Sequence, residues 1–345
     1  MNGQGAEPRG EGSRATSYDV ARLAGVSQSA VSRAFRDGTS ISRETRVKVE
    51  RAALQLGYAP SKIARSLITQ RSGMLGVVIT ELTVSNYPDL LLRLGREIQA
   101  TGHRMLVFTV ADEGSAAVRD LLAYQVEGIV SSAALPDEVL SLCAARRVPV
   151  VLYNRAPPRP IASAVACDHA AAMEHLVAHL DAGGIRRAAF VAGPENAPVS
   201  AERLAGARAA LGPRGHRLAT VVHGDYAYDS GRALGRALLA GPQRPDTVLC
   251  ANDAMALGVI DAARYDLGLD VPGDVAVTGF DDLPQAAWPA YALTTLRQPV
   301  DAMTRAAVRL LLERVEAASA EPAVAERRLM AAALVVRGST RPQPR

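Results

Sequence analysis

From Gly73 onward the chain alternates short apolar runs with helix-length stretches, and this alternation limits the fold more than any other feature. The runs are MLGVVI (74–79), HRMLVFTV (103–110), VEGIVSS (126–132), VPVVLY (148–153), RRAAFVAG (186–193), DTVLCAND (246–253) and DVAVTGFDD (274–282). Between them lie segments long enough for helices, at 90–101, 116–124, 170–182, 200–211, 229–239, 254–267 and 300–318. Strands separated by helices pair in parallel, because each crossover helix returns the chain to the same end of the sheet. Seven or more such units exceed one small sheet, so the expectation is an α/β core of two doubly wound lobes. The core is expected to run over 73–345. Its first lobe takes 73–166 and 300–322, and its second 167–299 and 323–340.

Ligands of such sheets bind beyond the carboxyl ends of the strands. The residues there are Thr80, Glu81, Asn154, Arg155, Asp168, Gly193-Pro194, Asn252, Asp253, Phe280, Asp281 and Asp282. Arg203 lies early on the helix after Pro194, and Tyr226 follows a short strand ending at 224–225. An Arg, several carboxylates, an Asn and an aromatic ring converging on a cleft can hold a polyol or a carboxylate through paired hydrogen bonds and stack one of its faces. Taken singly, each residue also has a plainer role, since Asp and Asn after strands cap helices and an Arg on a first helical turn is ordinarily solvated.

Ahead of this core stands Thr16 to Phe35, TSYDVARLAGVSQSAVSRAF, which reads as two short helices and a tight turn. Thr16 and Ser17 are capping residue types, and Tyr18, Val20, Ala21, Leu23 and Ala24 are expected on one apolar face. Gly25 supplies a left-handed turn, Val26 plugs the gap, and Ser27 caps a second helix burying Ala30, Val31, Ala34 and Phe35. Its other face carries Gln28, Ser29, Ser32 and Arg33. That arrangement is a helix-turn-helix, whose second helix can enter a DNA major groove; an ordinary helical hairpin with a polar outer face is the plainer alternative. A third helix is predicted over Arg43–Gln55, capped by Ser42 and ended by Gly57, with Val47, Val49 (or Leu54) and Ala53 inward. The headpiece then spans 16–59. Residues 60–72 follow as a hinge in which Pro60 and Ser61 open one or two helical turns, too short to be stable alone in water. Leu67 there, flanked by Lys62 and Arg65, suits a wedge entering a minor groove, or else is an incidental Leu in a plain linker.

The charge is segregated in the same way. Residues 16–71 hold ten Lys or Arg against four Asp or Glu and residues 1–15 balance to zero, so the +4 chain carries −2 from Ser72 onward. A basic head on a slightly acidic body suits contact with phosphates. Cys143, Cys167 and Cys250 lack any CxxC spacing, which argues against a disulfide framework or a structural zinc and fits a reducing cytoplasm. The first fifteen residues are Gly-rich and polar and read as a disordered arm. No apolar run of about twenty residues suggests a membrane span. There is no phosphate-binding GxxxxGK[ST], no GxGxxG after a strand and no GxSxG elbow; His175 and His179 lack an HExxH context. The expectation is therefore neither an enzyme nor a cofactor- or metal-binding protein. It is a DNA-binding regulator, with a cytoplasmic ligand-binding protein that has lost DNA binding as the alternative.

These runs together resemble the lactose/galactose-repressor (LacI/GalR) family of bacterial transcription regulators. The resemblance extends from Tyr18 to Thr340 and is carried by YDVARLAGVSQSAVSRAF, ISRETRVKVERAALQLGYAP, ARSL, VEGIV, AERLAGARAAL, ANDAMALGV, VPGDVAVTGFDDLP, LTTLRQPV and LVVRGST. It implies a homodimer on pseudo-palindromic operator DNA, with a small-molecule effector, a carbohydrate by preference, held between two lobes like those of periplasmic binding proteins. Matching positions imply base contacts from Gln28, Ser29 and Arg33, and backbone contacts from Tyr18, Ser27, Ser42, Thr45 and Tyr58. Lys62, Arg65 and Leu67 match the minor-groove hinge. Asn154, Asp168, Arg203, Tyr226, Asn252, Asp281 and Gln298 match the effector pocket. The chain departs from the pattern at Asn86-Tyr87-Pro88-Asp89 where Asn-Pro-Phe-Phe is frequent, at Asn154 where Asp is common, at Tyr291-Ala292 in place of Pro-Pro, and at Arg36 in place of Asn. No Leu-heptad tail follows Thr340, so a coiled-coil tetramer is not expected.

Overall fold

The computed structural model describes residues 15–35, 40–59, 72–80, 87–111, 113–155, 161–317 and 324–341. The predicted arm up to residue 14, the hinge residues Lys62, Arg65 and Leu67, and Arg36, Glu81 and Asn86 lie outside the described residues. The chain divides into two compact units, Met1–Ser72 and Gly73–Arg345.

The first unit is three helices, α1 (Ser17–Ala24), α2 (Gln28–Ala34) and α3 (Arg43–Gln55). Thr16 caps α1 in a reciprocal box with Asp19: Thr16 Oγ1 accepts from the Asp19 N–H at 3.4 Å, and Asp19 Oδ2 accepts from the Thr16 N–H at 2.9 Å. Gly25, at φ 64°, turns the chain, and Ser27 Oγ accepts from the Ala30 N–H at 3.2 Å to open α2. Ser42 does the same for α3 through Thr45. The core of this unit is Val20, Ala21, Val31, Ala34, Val49, Ala52 and Ala53, ringed by Val26, Phe35, Ile41 and Tyr58. Its buried faces are narrower than the sequence suggests. Tyr18, Leu23, Val47 and Leu54 are all exposed. On α3 the buried stripe is Val49, Ala52 and Ala53 at spacings of three and four, which turns Val47 and Leu54 toward solvent.

The second unit holds the two expected lobes. Strands β1 (Met74–Thr80), β2 (Arg104–Val110), β3 (Gly128–Ser131), β4 (Val150–Tyr153), β5 (Ser163–Cys167) and β11 (Arg327–Met330) form one sheet in the order β11-β5-β4-β3-β1-β2, parallel at every pairing. A second parallel sheet, β7-β6-β8-β9, is built from β6 (Ala188–Ala192), β7 (Leu218–His223), β8 (Thr247–Cys250) and β9 (Ala276–Thr278). An antiparallel ribbon joins β10 (Thr295–Arg297) to β12 (Ala333–Val335). Helices α4 (Tyr87–Ala100), α5 (Ser115–Ala123), α6 (Asp137–Ala145) and α11 (Val300–Ala317) belong to the first lobe. The second lobe has α7 (His169–Ala182), α8 (Pro198–Leu211), α9 (Tyr228–Leu239) and α10 (Asp253–Asp261). Strands β1, β3, β4, β5, β6 and β8 are buried nearly from end to end, as strands covered by helices on both faces must be.

The lobe boundaries need one correction. Residues 323–340 were expected in the second lobe, but β11 pairs with β5 in the first sheet, Arg327 opposite Ala164 and Met330 opposite Cys167. The first lobe therefore reaches Met330 before the chain crosses back to β12. The expected helix over 254–267 is α-helical only to Asp261 and widens into a π-turn over Ala262–Asp266. Tyr291, standing in place of a proline, donates its hydroxyl to Asp261 Oδ2 at 3.0 Å beside the Tyr228 hydroxyl at 2.6 Å.

Candidate functional site

Two regions carry the chemistry. On the first unit, Gln28, Ser29, Ser32 and Arg33 are all exposed on the outer face of α2, opposite the buried Ala30, Val31 and Ala34. Ser27, exposed beside them, shares a 2.9 Å hydrogen bond with the Ser29 hydroxyl while capping the helix. Gln28 Nε2 reaches the Ser17 hydroxyl at 3.4 Å, tying the reading face to α1. Behind the helix, Arg46 donates to the Ala34 carbonyl at 2.7 Å, satisfying an end group of α2. Of the expected phosphate contacts, Tyr18 is 69% exposed, Ser42 is exposed, and Thr45 is half-buried with its hydroxyl 2.8 Å from that of Ser42. Tyr58 is half-buried, its ring packed 6.1 Å from that of Phe35. A rigid helix thus presents an amide, a hydroxyl and a guanidinium outward, the groups that read base edges.

In the second unit, the carboxyl ends of both sheets supply polar groups. Arg203, on the second turn of α8, is only 3% exposed. Its guanidinium donates to the Ala251 carbonyl, donates to Asp281 Oδ1 at 3.2 Å and lies 3.6 Å over the Phe280 ring. Gln298 donates to the same Asp281 oxygen at 2.6 Å. Asp281, at φ 117°, is held in the left-handed region where it meets both partners. Tyr226, at φ 68°, is buried with its ring against the Gly193 backbone, where an added Cβ would come within 2.3 Å of the ring. Burial raises the Tyr226 phenol above its ordinary value, while Arg203 and Arg155 act in the opposite direction. Asn252 spends both ends of its amide inside the protein, donating to the Tyr226 carbonyl at 2.9 Å and accepting from the Met255 N–H at 3.0 Å as the cap of α10. Asp168 caps α7 through one oxygen, 3.0 Å from the Ala171 N–H. Asn154, at φ 52°, accepts from the Cys167 N–H at 3.3 Å, so its side chain braces two strand ends of the first lobe.

Arg203, Asp281, Gln298, Tyr226 and Asn252 are thus linked within the second lobe, while Asn154 follows β4 within the first lobe and Asp168 stands where the chain first crosses between the lobes. Charges of the first lobe reach across. Burial raises the Glu202 carboxyl, and Arg327 and Arg155 of the first lobe pull it back down together with Arg203. Neighbouring groups complete the cluster; the strand-end reading singled out Asp253, Phe280 and Asp282 but not His169 or Glu202. Asp282 pairs with Arg297 at 2.5 Å and Arg337 at 2.7 Å, fixing the turn that carries Asp281. Asp253 is fully buried and accepts from the Leu283 N–H at 2.7 Å and the Thr295 hydroxyl at 2.5 Å; burial, then the charge of Asp281, pushes its carboxyl up to about 7. The His169 ring packs against that of Phe280, on which Arg203 stacks, and its Nε2 lies 3.8 Å from a Glu202 carboxylate oxygen. The available signal for His169 and Glu202 was adjacency to Asp168 and Arg203 in the chain. Among the described residues no group of three His, Cys, Asp or Glu side chains could hold a metal, and no helix is long and apolar enough to cross a membrane.

Residues 16–61 match the family profile described as bacterial regulatory proteins, lacI family, and residues 177–340 match the periplasmic binding protein-like domain. The ribose operon repressor of Escherichia coli (strain K12) is 32% identical over 340 residues, covering 94% of this chain and 99% of that protein. The structure of the Lac repressor dimer bound to operator and the anti-inducer ONPF superposes with a TM-score of 0.85 at 28% identity, over 95% of this chain and 99% of that one. The complex of the transcriptional regulator CelR with cellobiose superposes at 0.70 with 30% identity, over 94% and 100%. These relatives are regulators, in line with the expectation of a regulator rather than an enzyme. An exposed polar reading helix, a two-lobed binding core and this end-to-end similarity converge: the chain belongs to the lacI family of bacterial regulatory proteins.

Proposed function

We propose that the protein is a dimeric cytoplasmic repressor that binds pseudo-palindromic operator DNA and is controlled by a sugar or sugar derivative held between its core lobes. The observation that carries this reading is the open outer face of α2, where Gln28, Ser29 and Arg33 stand on a helix fixed by caps at its start and by Arg46 at its end. In this reading Gln28, Ser29 and Arg33 contact bases, and Tyr18, Ser27, Ser42, Thr45 and Tyr58 contact the backbone. Lys62, Arg65 and Leu67 enter the minor groove. Asn154, Asp168, Arg203, Tyr226, Asn252, Asp281 and Gln298 form the effector site, with Asn252 acting by holding the Tyr226 loop. Arg203 and Gln298 both donate to Asp281 Oδ1, which orients this carboxylate as an acceptor for sugar hydroxyls. The ribose operon repressor and the CelR–cellobiose complex support a carbohydrate as the effector class.

The DNA half is tested with operator selected by the purified protein from a randomised palindromic library, its affinity read by fluorescence anisotropy at physiological salt. Arg33→Ala is expected to lose about 1–3 kcal/mol of discrimination at one base position in each half-site. Unchanged affinity and base preference would overturn the recognition assignment.

A further inference from the structure

His169 is the first residue of α7, next to the cap residue Asp168, and is only 3% exposed. Neither of its ring nitrogens has a hydrogen-bond partner. Its ring lies 5.4 Å from the Phe280 ring, tilted by 57°, and Phe280 is also the ring over which Arg203 stacks. A carboxylate oxygen of Glu202 stands 3.8 Å from Nε2, beyond hydrogen-bond reach. The Nε of Arg203 is buried and unpartnered as well. Buried polar atoms are almost always satisfied, and each exception carries a desolvation penalty that calls for a reason. Here three such atoms, on two side chains, meet at one aromatic ring.

We propose that His169 is a further effector-binding residue, the seat for a hydroxyl of a neutral polyol. This assignment rests on the reading of the interlobe cleft as the effector site. Burial, with the charge of Arg203 adding to it, keeps the imidazole neutral. A neutral imidazole offers one N–H donor and one acceptor nitrogen, and a hydroxyl likewise both donates and accepts. A carboxylate ligand could satisfy only the donor, and an ammonium only the acceptor. The surrounding charges also balance: Glu202 is faced by Arg155, Arg203 and Arg327, while Asp281 is paired with Arg203 and Asp168 stands beside His169. Three carboxylates against three guanidinium groups require no net charge from the ligand. His169 therefore selects for hydroxyl placement rather than for charge.

The test uses the full chain and isothermal titration with neutral pentoses, hexoses and β-linked disaccharides, alongside glucuronate and galacturonate. For the sugar that binds, His169→Phe is expected to lower affinity about tenfold or more, and His169→Gln, which keeps a donor and an acceptor, to lose less. The melting temperature of sugar-free His169→Phe is expected to equal or exceed that of the unsubstituted protein, because two orphaned atoms are removed. If His169→Phe retains affinity within about twofold, or if both variants lose affinity equally along with sugar-free stability, the assignment of His169 falls and the cleft reading stands. Tighter binding of a uronate than of any neutral sugar would overturn the neutral-polyol assignment. If no neutral sugar binds the unsubstituted protein, the cleft reading falls and this assignment falls with it.

Discussion

Arg203 shows how far a single side chain departs from its ordinary behaviour when the cleft requires it. Early helical positions usually leave an Arg in water, yet here the guanidinium is buried between Phe280, the Ala251 carbonyl and Asp281. Removing one partner of a buried ion pair strands the other charge, so Asp281→Ala should cost about 3–5 kcal/mol in urea denaturation of the sugar-free protein. A loss under about 1 kcal/mol, the size expected of an exposed pair, would contradict this picture. Two other buried groups set an opposed pH dependence. His169 drops from 6.5 to about 2 on folding, through burial and then Arg203. Its contribution is therefore complete above pH 6.5 and is lost as pH falls below that, by up to about 1.4 kcal/mol per unit. Asp253 rises from 3.8 to about 7, so its contribution is complete below pH 3.8 and is lost as pH rises through 7. In melts from pH 4.5 to 8, His169→Phe should flatten the acid-side loss and Asp253→Asn the loss toward neutral pH. Curves parallel to that of the unsubstituted protein would refute both assignments.

At the scale of elements, two glycines separate two kinds of constraint. Gly25 sits at φ 64° with open space where a Cβ would go, so Gly25→Ala meets only the left-handed backbone penalty, about 1–2 kcal/mol. Gly258 on α10 has ordinary backbone angles, but an added Cβ would fall 2.2 Å from the Tyr228 carbonyl oxygen and 2.5 Å from the Arg232 nitrogen of α9. Gly258→Ala must push two helices apart and should cost about 3 kcal/mol, at the upper end for overpacking. Hydrogen exchange on the full chain distinguishes them: Gly25→Ala should release amides of α1–α3 alone, and Gly258→Ala those of α9 and α10. Loss of protection throughout the chain in the Gly25 variant would contradict an independently folding headpiece. The elements that were legible in the sequence are those with internal cues. Thr16, Gly25, Ser27 and Ser42 declare the three short helices by capping chemistry, and the long Val/Ile/Leu runs declare the buried strands. Strand β11 carried neither cue, because Arg327–Met330 is an edge strand of four residues whose pairing with β5 is set by tertiary structure. Helix α6 was missed because Asp137–Ala145 is short and almost continuously apolar after its first turn, so no helical stripe stands out. In the cleft, Asn154, Asp168, Asn252 and Asp281 were legible from topology, since strand ends are where such sheets bind ligands. His169 matters through its packing on Phe280, the ring on which Arg203 stacks, and no spacing in the chain announces that cluster.

For the whole molecule, the net positive charge lies in the first 71 positions and the chain crosses between the core lobes three times, after β5, after β10 and after β11. Three thin connections allow the lobes to change their relative geometry while each keeps its own sheet. A ligand bridging Asp168, Arg203 and Asp281 has its greatest leverage at those crossings, since Asp168 ends the first, Gln298 sits on the second, and the Asp168 N–H donates to the Met330 carbonyl at the third, at 2.8 Å. In free-energy terms, the proposed control of operator binding by an effector is a coupling of about 1–3 kcal/mol, or about 5–150-fold in affinity. The most direct measurement is a titration of selected operator with the full protein, with and without a saturating concentration of the sugar that binds the core, repeated for Asp281→Asn. The account predicts that sugar shifts operator affinity at least fivefold in the unsubstituted protein, that operator reciprocally shifts sugar affinity by the same factor, and that the shift disappears in Asp281→Asn at the same sugar concentration. Operator affinity independent of a sugar that demonstrably occupies the cleft would contradict it.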